Sequence, residues 1–363
     1  MVTQGDLTVM IIGTMILCIG ILLNGLTFFM LQRVELNSLL TAWLYRTQPI
    51  LDAICCVGGM IMFWINELDR STEWIARTVC YIWRDQFPLW FFVVWGQANL
   101  TWITMDRLWA TVYYVTYRRY QKRYLIVCTV GSVVYSLLLN VPSTLYVRYN
   151  NGTCETSAED TVTVEGTRVQ LNSIYWFFAY YLLPMVTMFV VYIRVVYFLR
   201  HIRTTHSVSN LDTTEQQQQK QRNTNMLNPV YQSLSVATFG FIISLLLTHT
   251  VDTLYYLIGA NLNLGYEYGA SIQMISVFVT TLSSILNPLV ILFSLPALRK
   301  TLTSCCISAW TCTILPYRGR NKCVEKLRQK FNTIVSLVNM SDRGKKQTHV
   351  LACNDDKRGS HSP

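Results

Sequence analysis

Asp106-Arg107-Leu108-Trp109-Ala110 closes a long apolar stretch, Phe87 to Val112, just before a basic segment with Arg118, Arg119, Lys122 and Arg123. A charged pair at the border of hydrocarbon is costly to keep, so it marks a functional edge. Six other apolar stretches accompany it: Thr8 to Leu31, Leu39 to Ile65, Tyr124 to Val147, Leu171 to Leu199, Val230 to Ala260 and Gly269 to Leu295. A helix needs about 20 such residues to cross ~30 Å of hydrocarbon. The pattern predicts an all-α membrane protein, a seven-transmembrane helix bundle. The second, fifth and sixth spans carry charged or His positions that lower their hydropathy.

Composition agrees: 52% of residues are hydrophobic and 14% charged, against roughly a quarter charged in soluble domains. The net charge of +10 does not call for nucleic acid. The basic residues flank spans, and the lipid bilayer they face is itself anionic. Connectors after the first, third and fifth spans hold Arg33, then Arg118 to Arg123, then Arg200, Arg203, Lys220 and Arg222; those on the other side hold Glu67, Asp69, Glu73, Glu155, Glu159, Asp160 and Glu267. The positive-inside rule then puts the N-terminus outside and the tail in the cytoplasm of a plasma-membrane protein. The first span reads as an uncleaved anchor rather than a signal peptide, since no basic residue precedes it and Arg33 follows it.

This reading divides the chain into a short extracellular N-terminus (1–7), the bundle (8–295), an amphipathic juxtamembrane helix (296–306) and a cytoplasmic tail (307–363). Gln216 to Gln219 with Lys220, Gln221 and Arg222 read as a flexible polar loop before the sixth span. No internal repeat occurs, which argues against the main alternative, a seven-span transporter or channel. No hydrolase or metal motif argues for an enzyme, and no cofactor is implied.

Polar residues inside spans are functional candidates by default. Asn24 lies in Gly20-Ile21-Leu22-Leu23-Asn24-Gly25, Asp52 in Pro49-Ile50-Leu51-Asp52, and Asn287-Pro288 in Leu286-Asn287-Pro288-Leu289-Val290-Ile291. With Asp106-Arg107-Leu108, which looks like an Asp-Arg-Tyr motif, and Asn287 to Ile291, which looks like Asn-Pro-x-x-Tyr, the order resembles the rhodopsin-like family of G-protein-coupled receptors from Ile11 to Cys306. Pro184 and Tyr192 have that family's spacing for a fifth-span proline bulge and the tyrosine that meets the motif arginine on activation. The resemblance also implies a Cys80–Cys154 disulfide, although Cys80 stands two residues further from Arg107 than is usual.

Several positions depart from the family's pattern. Ile291 and Leu108 replace tyrosines, the fourth span has no tryptophan, and the sixth lacks the Trp-x-Pro switch. These losses are similar to those of a divergent branch such as the flatworm orphan groups. Without proline the sixth span either swings as a straight rod or yields at Gly240 or Thr248-His249-Thr250.

The resemblance implies a mechanism. At rest Asp106 neutralises Arg107; on activation the sixth span moves outward, Arg107 extends, Tyr192 packs against it, and a heterotrimeric G protein enters. No acid lies between Gln221 and Tyr231 to add a second lock on the arginine, which predicts ligand-independent signalling. Asp52, Asn24, Ser283 and Ser284 would converge midway. They offer oxygen ligands for a sodium ion or form a polar network; Gly96, where the family's third span supplies a polar ligand, favours the network.

An amine ligand is disfavoured by Leu89, which stands where amine receptors carry an aspartate, and no lysine between Lys220 and Lys300 can bind retinal. The outer half is aromatic, with Trp90, Trp176, Tyr180 and Tyr256 as pocket candidates beside His249 and Asp252; a lipid belt is the alternative for such aromatics. Acidic outer loops favour a peptide with a basic residue. Asn151-Gly152-Thr153 is a glycosylation acceptor, Asn99-Leu100-Thr101 lies inside a span and stays unmodified, and Cys305 and Cys306 suit palmitoylation.

Overall fold

The computed structural model describes residues 4–34, 36, 38–64, 72–83, 86–144, 147–150, 153–156, 164–208, 214–262, 271–296 and 298–303. Along them run α1 (Gln4–Arg33), α2 (Leu39–Trp64), α3 (Glu73–Trp83), α4 (Phe87–Val112) and α5 (Tyr114–Thr144), then an antiparallel hairpin of β1 (Val147–Asn150) and β2 (Thr153–Thr156). There follow α6 (Val164–Trp176), a π-helical segment (Phe177–Leu182), α7 (Leu183–Val208), α8 (Thr214–Asn261), α9 (Ser271–Thr281) and α10 (Ser283–Ser294). The chain divides into two units, Met1–Pro296 and Ala297–Pro363. The first holds the bundle. In the second, residues 298–303 are helical, with Thr303 Oγ1 donating to the Arg299 and Lys300 carbonyls. Cys305, Cys306 and the tail 307–363 lie outside the described residues.

Six helical stretches are long and apolar enough to cross a membrane: Leu7–Arg33, Leu39–Trp64, Val115–Pro142, Gln170–Phe198, Val236–Asn261 and Ile272–Ser294. The seventh span, α4, has the length and fails on polarity. Among the six, the second and sixth spans are the least apolar, as their charged and His positions lead one to expect, and α4 falls below them. The reason is position: α4 packs against α2, α5 and α7, and its buried face carries Gln97, Asn99, Thr104 and Asp106. A helix surrounded by protein needs less lipid-compatible surface.

Three segments read as irregular are helical. Arg118 to Arg123 belong to the start of α5, Gln216 to Arg222 to α8, and α1 already begins at Gln4, inside the stretch expected to precede the membrane. Gln, Lys and Arg are good helix formers, so a polar run adjoining an apolar helix extends it. In the opposite sense, the last span is interrupted at Leu282, whose N–H is shared between the Phe278 and Val279 carbonyls (3.1 and 3.2 Å).

Prolines within the spans explain many of the contacts between helices. A proline has no N–H, so the carbonyl four residues earlier loses its helical donor, and in hydrocarbon that carbonyl needs another. Pro288 frees Ser284 O, which accepts from Asn24 Nδ2 of α1 at 2.7 Å. Pro184 frees Tyr180 O, which accepts from Gln97 Nε2 of α4 at 2.8 Å. Pro142 frees Leu138 O, to which the Tyr175 hydroxyl donates at 3.4 Å. Beside Tyr180, the Ala179 carbonyl of the π-helical segment accepts from the Tyr135 hydroxyl. Each lost local bond thus becomes a tie to a distant helix.

Gly20 and Gly240 mark close approaches. A Cβ on Gly20 would lie 2.8 Å from Cys56 Sγ and 2.9 Å from Ile285 Cγ1, and one on Gly240 would lie 2.8 Å from Val290 Cγ1. Gly240 therefore seats α8 on α10 rather than weakening α8. Nor do Thr248 and Thr250 open the helix: their hydroxyls donate back to the Ser244 and Leu246 carbonyls (2.7 and 2.5 Å). α8 is a continuous rod here, which selects the first of the two expectations for the sixth span.

Candidate functional site

Midway along the bundle Asp52 (3% exposed) sits in a chain of amides. Gln48, one turn earlier on α2, donates Nε2 to both of its carboxylate oxygens, each at 3.1 Å. Gln48 is oriented in turn by Asn99 of α4, whose Nδ2 donates to Gln48 Oε1 and to Leu44 O, both at 2.9 Å. Asn287 of α10 donates to Asp52 Oδ1 at 3.3 Å and accepts from Ser244 of α8 at 3.1 Å. Four helices are thereby joined through one carboxylate.

Of the other residues expected here, Ser284 joins the carboxylate and Asn24 serves the backbone. Asn24 holds Ser284 O and its own Gly20 O, and Ser283 and Ser284 are buried on α10. Gln48 and Asn287 turn N–H donors to the carboxylate here, where a sodium ion would need oxygen ligands. Gly96 leaves the room that Gln48 occupies: its Cβ position is 3.5 Å from Gln48 Nε2 and 3.9 Å from Asp52 Oδ1.

At the far end of α4, Asp106 is fully buried. Tyr117 of α5 donates to Oδ1 at 2.7 Å and Thr41 of α2 to Oδ2 at 2.8 Å, with Ser38 bonded to the Tyr117 hydroxyl at 2.5 Å. Arg107 lies beside it, Nε to Oδ2 at 3.7 Å, too long for a hydrogen bond. The guanidinium sits 5.0 Å from the Tyr45 ring centroid, a cation–π contact. Its Nε and Nη2 are buried and donate to no acceptor among the described residues. Asp106 is thus a carboxylate satisfied mainly by hydroxyls, and Arg107 a buried cation with donors to spare. Tyr192 lies with its ring on Phe239 of α8, centroids 5.8 Å apart.

At the opposite end, the aromatic candidates divide. Trp90, Trp176 and Tyr180 are buried together, with Trp176 and Tyr180 centroids 4.7 Å apart and Trp90 set edge-on to both. Tyr175 is 42% exposed on the outer surface. So the first three line the bundle, while Tyr175 faces outward as a lipid-belt residue does. The Tyr180 hydroxyl is hydrogen-bonded to His249 Nδ1 of α8, and Tyr181 to Thr250 at 2.7 Å. Asp252 is buried, accepting from Ser276 of α9 at 2.8 Å, and Tyr256 accepts from Asn172 of α6 at 2.9 Å. Leu89 instead packs towards Gly58 of α2, whose Cβ position is 3.0 Å from Leu89 Cδ1.

The sequence model of the 7 transmembrane receptor (rhodopsin family) matches residues 50–290. The chain belongs to that family. It is a multi-pass membrane receptor, and a comparison with curated proteins finds no match.

The receptor's α3 explains the displaced cysteine. Cys80 is buried and disulfide-bonded, but it stands on α3, which stops at Trp83 before α4 starts; Gln86 between them takes a left-handed φ of 53°, and Pro88 follows in the first turn of α4. Arg77, one turn before Cys80, lies over the Tyr149 ring at 5.7 Å, and Tyr149 is the register partner of Cys154. The Cys154 side chain and Asn151 lie outside the described residues.

Gln48, Gln97, Thr41, Tyr45 and Tyr117 are site residues that sequence reasoning passed over, and Asn99 was read only as a glycosylation sequence. Gln48 and Asp52 are four apart on one helix, a spacing at which side chains meet. Proline positions would have pointed to the freed carbonyls, though not to their donors.

Proposed function

We propose that this receptor transmits binding of an extracellular peptide to a heterotrimeric G protein across the plasma membrane, with its N-terminus outside and its tail in the cytoplasm. The observation that carries the reading is Arg107: a guanidinium at the end of α4 whose buried Nε and Nη2 lack acceptors among the described residues and whose neighbouring carboxylate is held by hydroxyls. A buried donor without a partner is costly. An incoming helix that offers carbonyl oxygens relieves that cost in the open state only, which is what couples binding to the swing of α8. Tyr192 then leaves Phe239 to pack on Arg107, and Asn287-Pro288 keeps α10 tied to Asp52 while α8 moves.

At the ligand end, Trp90, Trp176 and Tyr180 form an aromatic wall near Asp252. A buried carboxylate beside aromatic faces suits a basic peptide side chain. The Tyr180–His249 and Tyr181–Thr250 bonds carry the signal from that wall to α8 in place of the missing Trp-x-Pro switch. A Cys80–Cys154 disulfide pins the hairpin over this end, supported by the Arg77–Tyr149 contact. Asn151 is glycosylated there, and Cys305 and Cys306 are palmitoylated at the other face, at the end of a juxtamembrane helix over 296–306.

Receptor and Arg107→Ala are compared at matched surface levels for basal and peptide-stimulated second messengers. A basal signal that vanishes in the variant supports the reading. Messenger output unchanged by the variant, or ion flux without any messenger, overturns it in favour of a transporter or channel.

A further inference from the structure

We propose that α3 docks on the outer surface of the lipid bilayer, its exposed face settled among the phospholipid headgroups between the second and third spans. α3 has 11 residues, too few to cross hydrocarbon. Ala76 and Cys80, one turn apart, are buried in a helix that packs on β1 and α4. The face turned away from them carries Trp74, Tyr81 and Ile82, which are 68, 42 and 45% exposed. Between them Thr78 returns its hydroxyl to Trp74 O at 2.9 Å, so it presents no free donor. The charged pair Glu73–Arg77 (2.9 Å) runs along one edge of this stripe, and Arg77 lies over Tyr149. The charges therefore mark the edge towards the hairpin, and the apolar stripe faces the other way.

Three features select lipid as the occupant. First, α2 ends at Trp64 and α4 starts at Phe87, so the outer border of the hydrocarbon passes near these residues, and α3, which lies between them in the chain, sits at that border. Trp64 is itself 53% exposed there, so the stripe continues a lipid-facing surface. Second, tryptophan and tyrosine join an apolar body to a polar tip, which is what headgroup depth favours. An amphipathic helix with such a face lies in the interface. Third, the stripe exposes on the order of 300 Å², well below the ~800 Å² per partner of a stable protein complex. A second protein gains too little there, whereas a helix already tethered between two spanning helices loses little further freedom on settling into the interface. α3 also carries the disulfide-bonded Cys80 and the Arg77–Tyr149 contact, so through it the bilayer holds the outer hairpin in place.

Full-length receptor in phosphatidylcholine nanodiscs tests this. A photoreactive p-benzoylphenylalanine replaces Trp74, Tyr81 or Glu73 in turn, and the adducts formed on irradiation are weighed. The expected result is phosphatidylcholine adducts at positions 74 and 81 that fall to background at position 73. Equal lipid adducts at all three positions, none at 74 and 81, or adducts there to a second receptor chain overturn the proposal. Hydroxyl-radical footprinting of the wild-type receptor in the same discs is independent of any variant's folding. Trp74 should react as slowly as Trp43, which is 45% exposed on the spanning helix α2, and oxidation of Trp74 at the rate of a water-exposed tryptophan also overturns it.

Discussion

Asp52 and Arg107 are buried ionisable side chains of the same bundle, on packed neighbours α2 and α4, and the protein treats them in opposite ways. Around Asp52 the donors and acceptors form a connected set: Gln48 faces both carboxylate oxygens, Asn99 orients Gln48, and Asn287 ties in Ser244. Around Arg107 two buried guanidinium nitrogens, Nε and Nη2, have no acceptor among the described residues, and the adjacent carboxylate is committed to Tyr117 and Thr41. A satisfied network in a low dielectric is rigid, whereas an unsatisfied cation stores a preference for any state that offers it acceptors. The contrast teaches which part is frame and which part is switch.

The largest expected effect is at the switch. Arg107→Ala should bring messenger output to background without loss of folded receptor, read as ligand-free signalling at equal surface expression. A large loss of folded protein instead would make Arg107 part of the frame. Next comes Gln48→Leu, which leaves Asp52 with Asn287 and Ser284 and takes from Asn99 its side-chain acceptor. It should cost about 1–3 kcal/mol of stability, measured by thermal unfolding in detergent, and sodium should not restore it. Rescue by sodium would mean that a cation site lies under the amides.

A subtler case is the tie between Asn24 and Ser284 O. Asn24→Leu alone strands that carbonyl, but in a Pro288→Ala background the helix N–H returns and makes Asn24 redundant. A double-mutant cycle on thermal stability should therefore show coupling of about 0.5–3 kcal/mol, the double variant losing less than the sum. Additive losses would mean that the Asn24 bond is not a substitute for the missing helical one. The smallest effect belongs to Tyr192→Phe, which keeps the ring on Phe239 and removes only the hydroxyl. Stability should move by less than about 0.5 kcal/mol, while basal signalling falls roughly two- to tenfold, what one net hydrogen bond is worth.

Much of the fold was legible in the order of apolar stretches and in single polar residues such as Asp52 and Arg107, because insertion into hydrocarbon penalises such residues wherever they fall. The apolarity test missed α4, since hydropathy measures contact with lipid and α4 is surrounded by protein. Segments such as Gln216 to Arg222 and Arg118 to Arg123 looked irregular because polarity was read as flexibility, although these are helix-forming residues. At the site, the identities of Asp106, Arg107, Asn287 and Tyr180 were readable. Their partners were not: whether Thr41 meets Asp106 or Gln97 meets Tyr180 O depends on helix rotation and register, which one sequence does not display. Gly240 shows the same limit, since a glycine within a helix reads equally as a hinge and as a close contact.

The most direct measurement is GDP–GTP exchange on a purified heterotrimeric G protein, catalysed by reconstituted receptor and by Arg107→Met, with thermal unfolding recorded on both samples. Methionine keeps much of the side chain's bulk and removes the unpaired charge. The expected result is a variant at least as stable as the wild type whose exchange is at the receptor-free rate. A variant that is less stable yet still catalyses exchange would contradict the assignment of Arg107 as the switch.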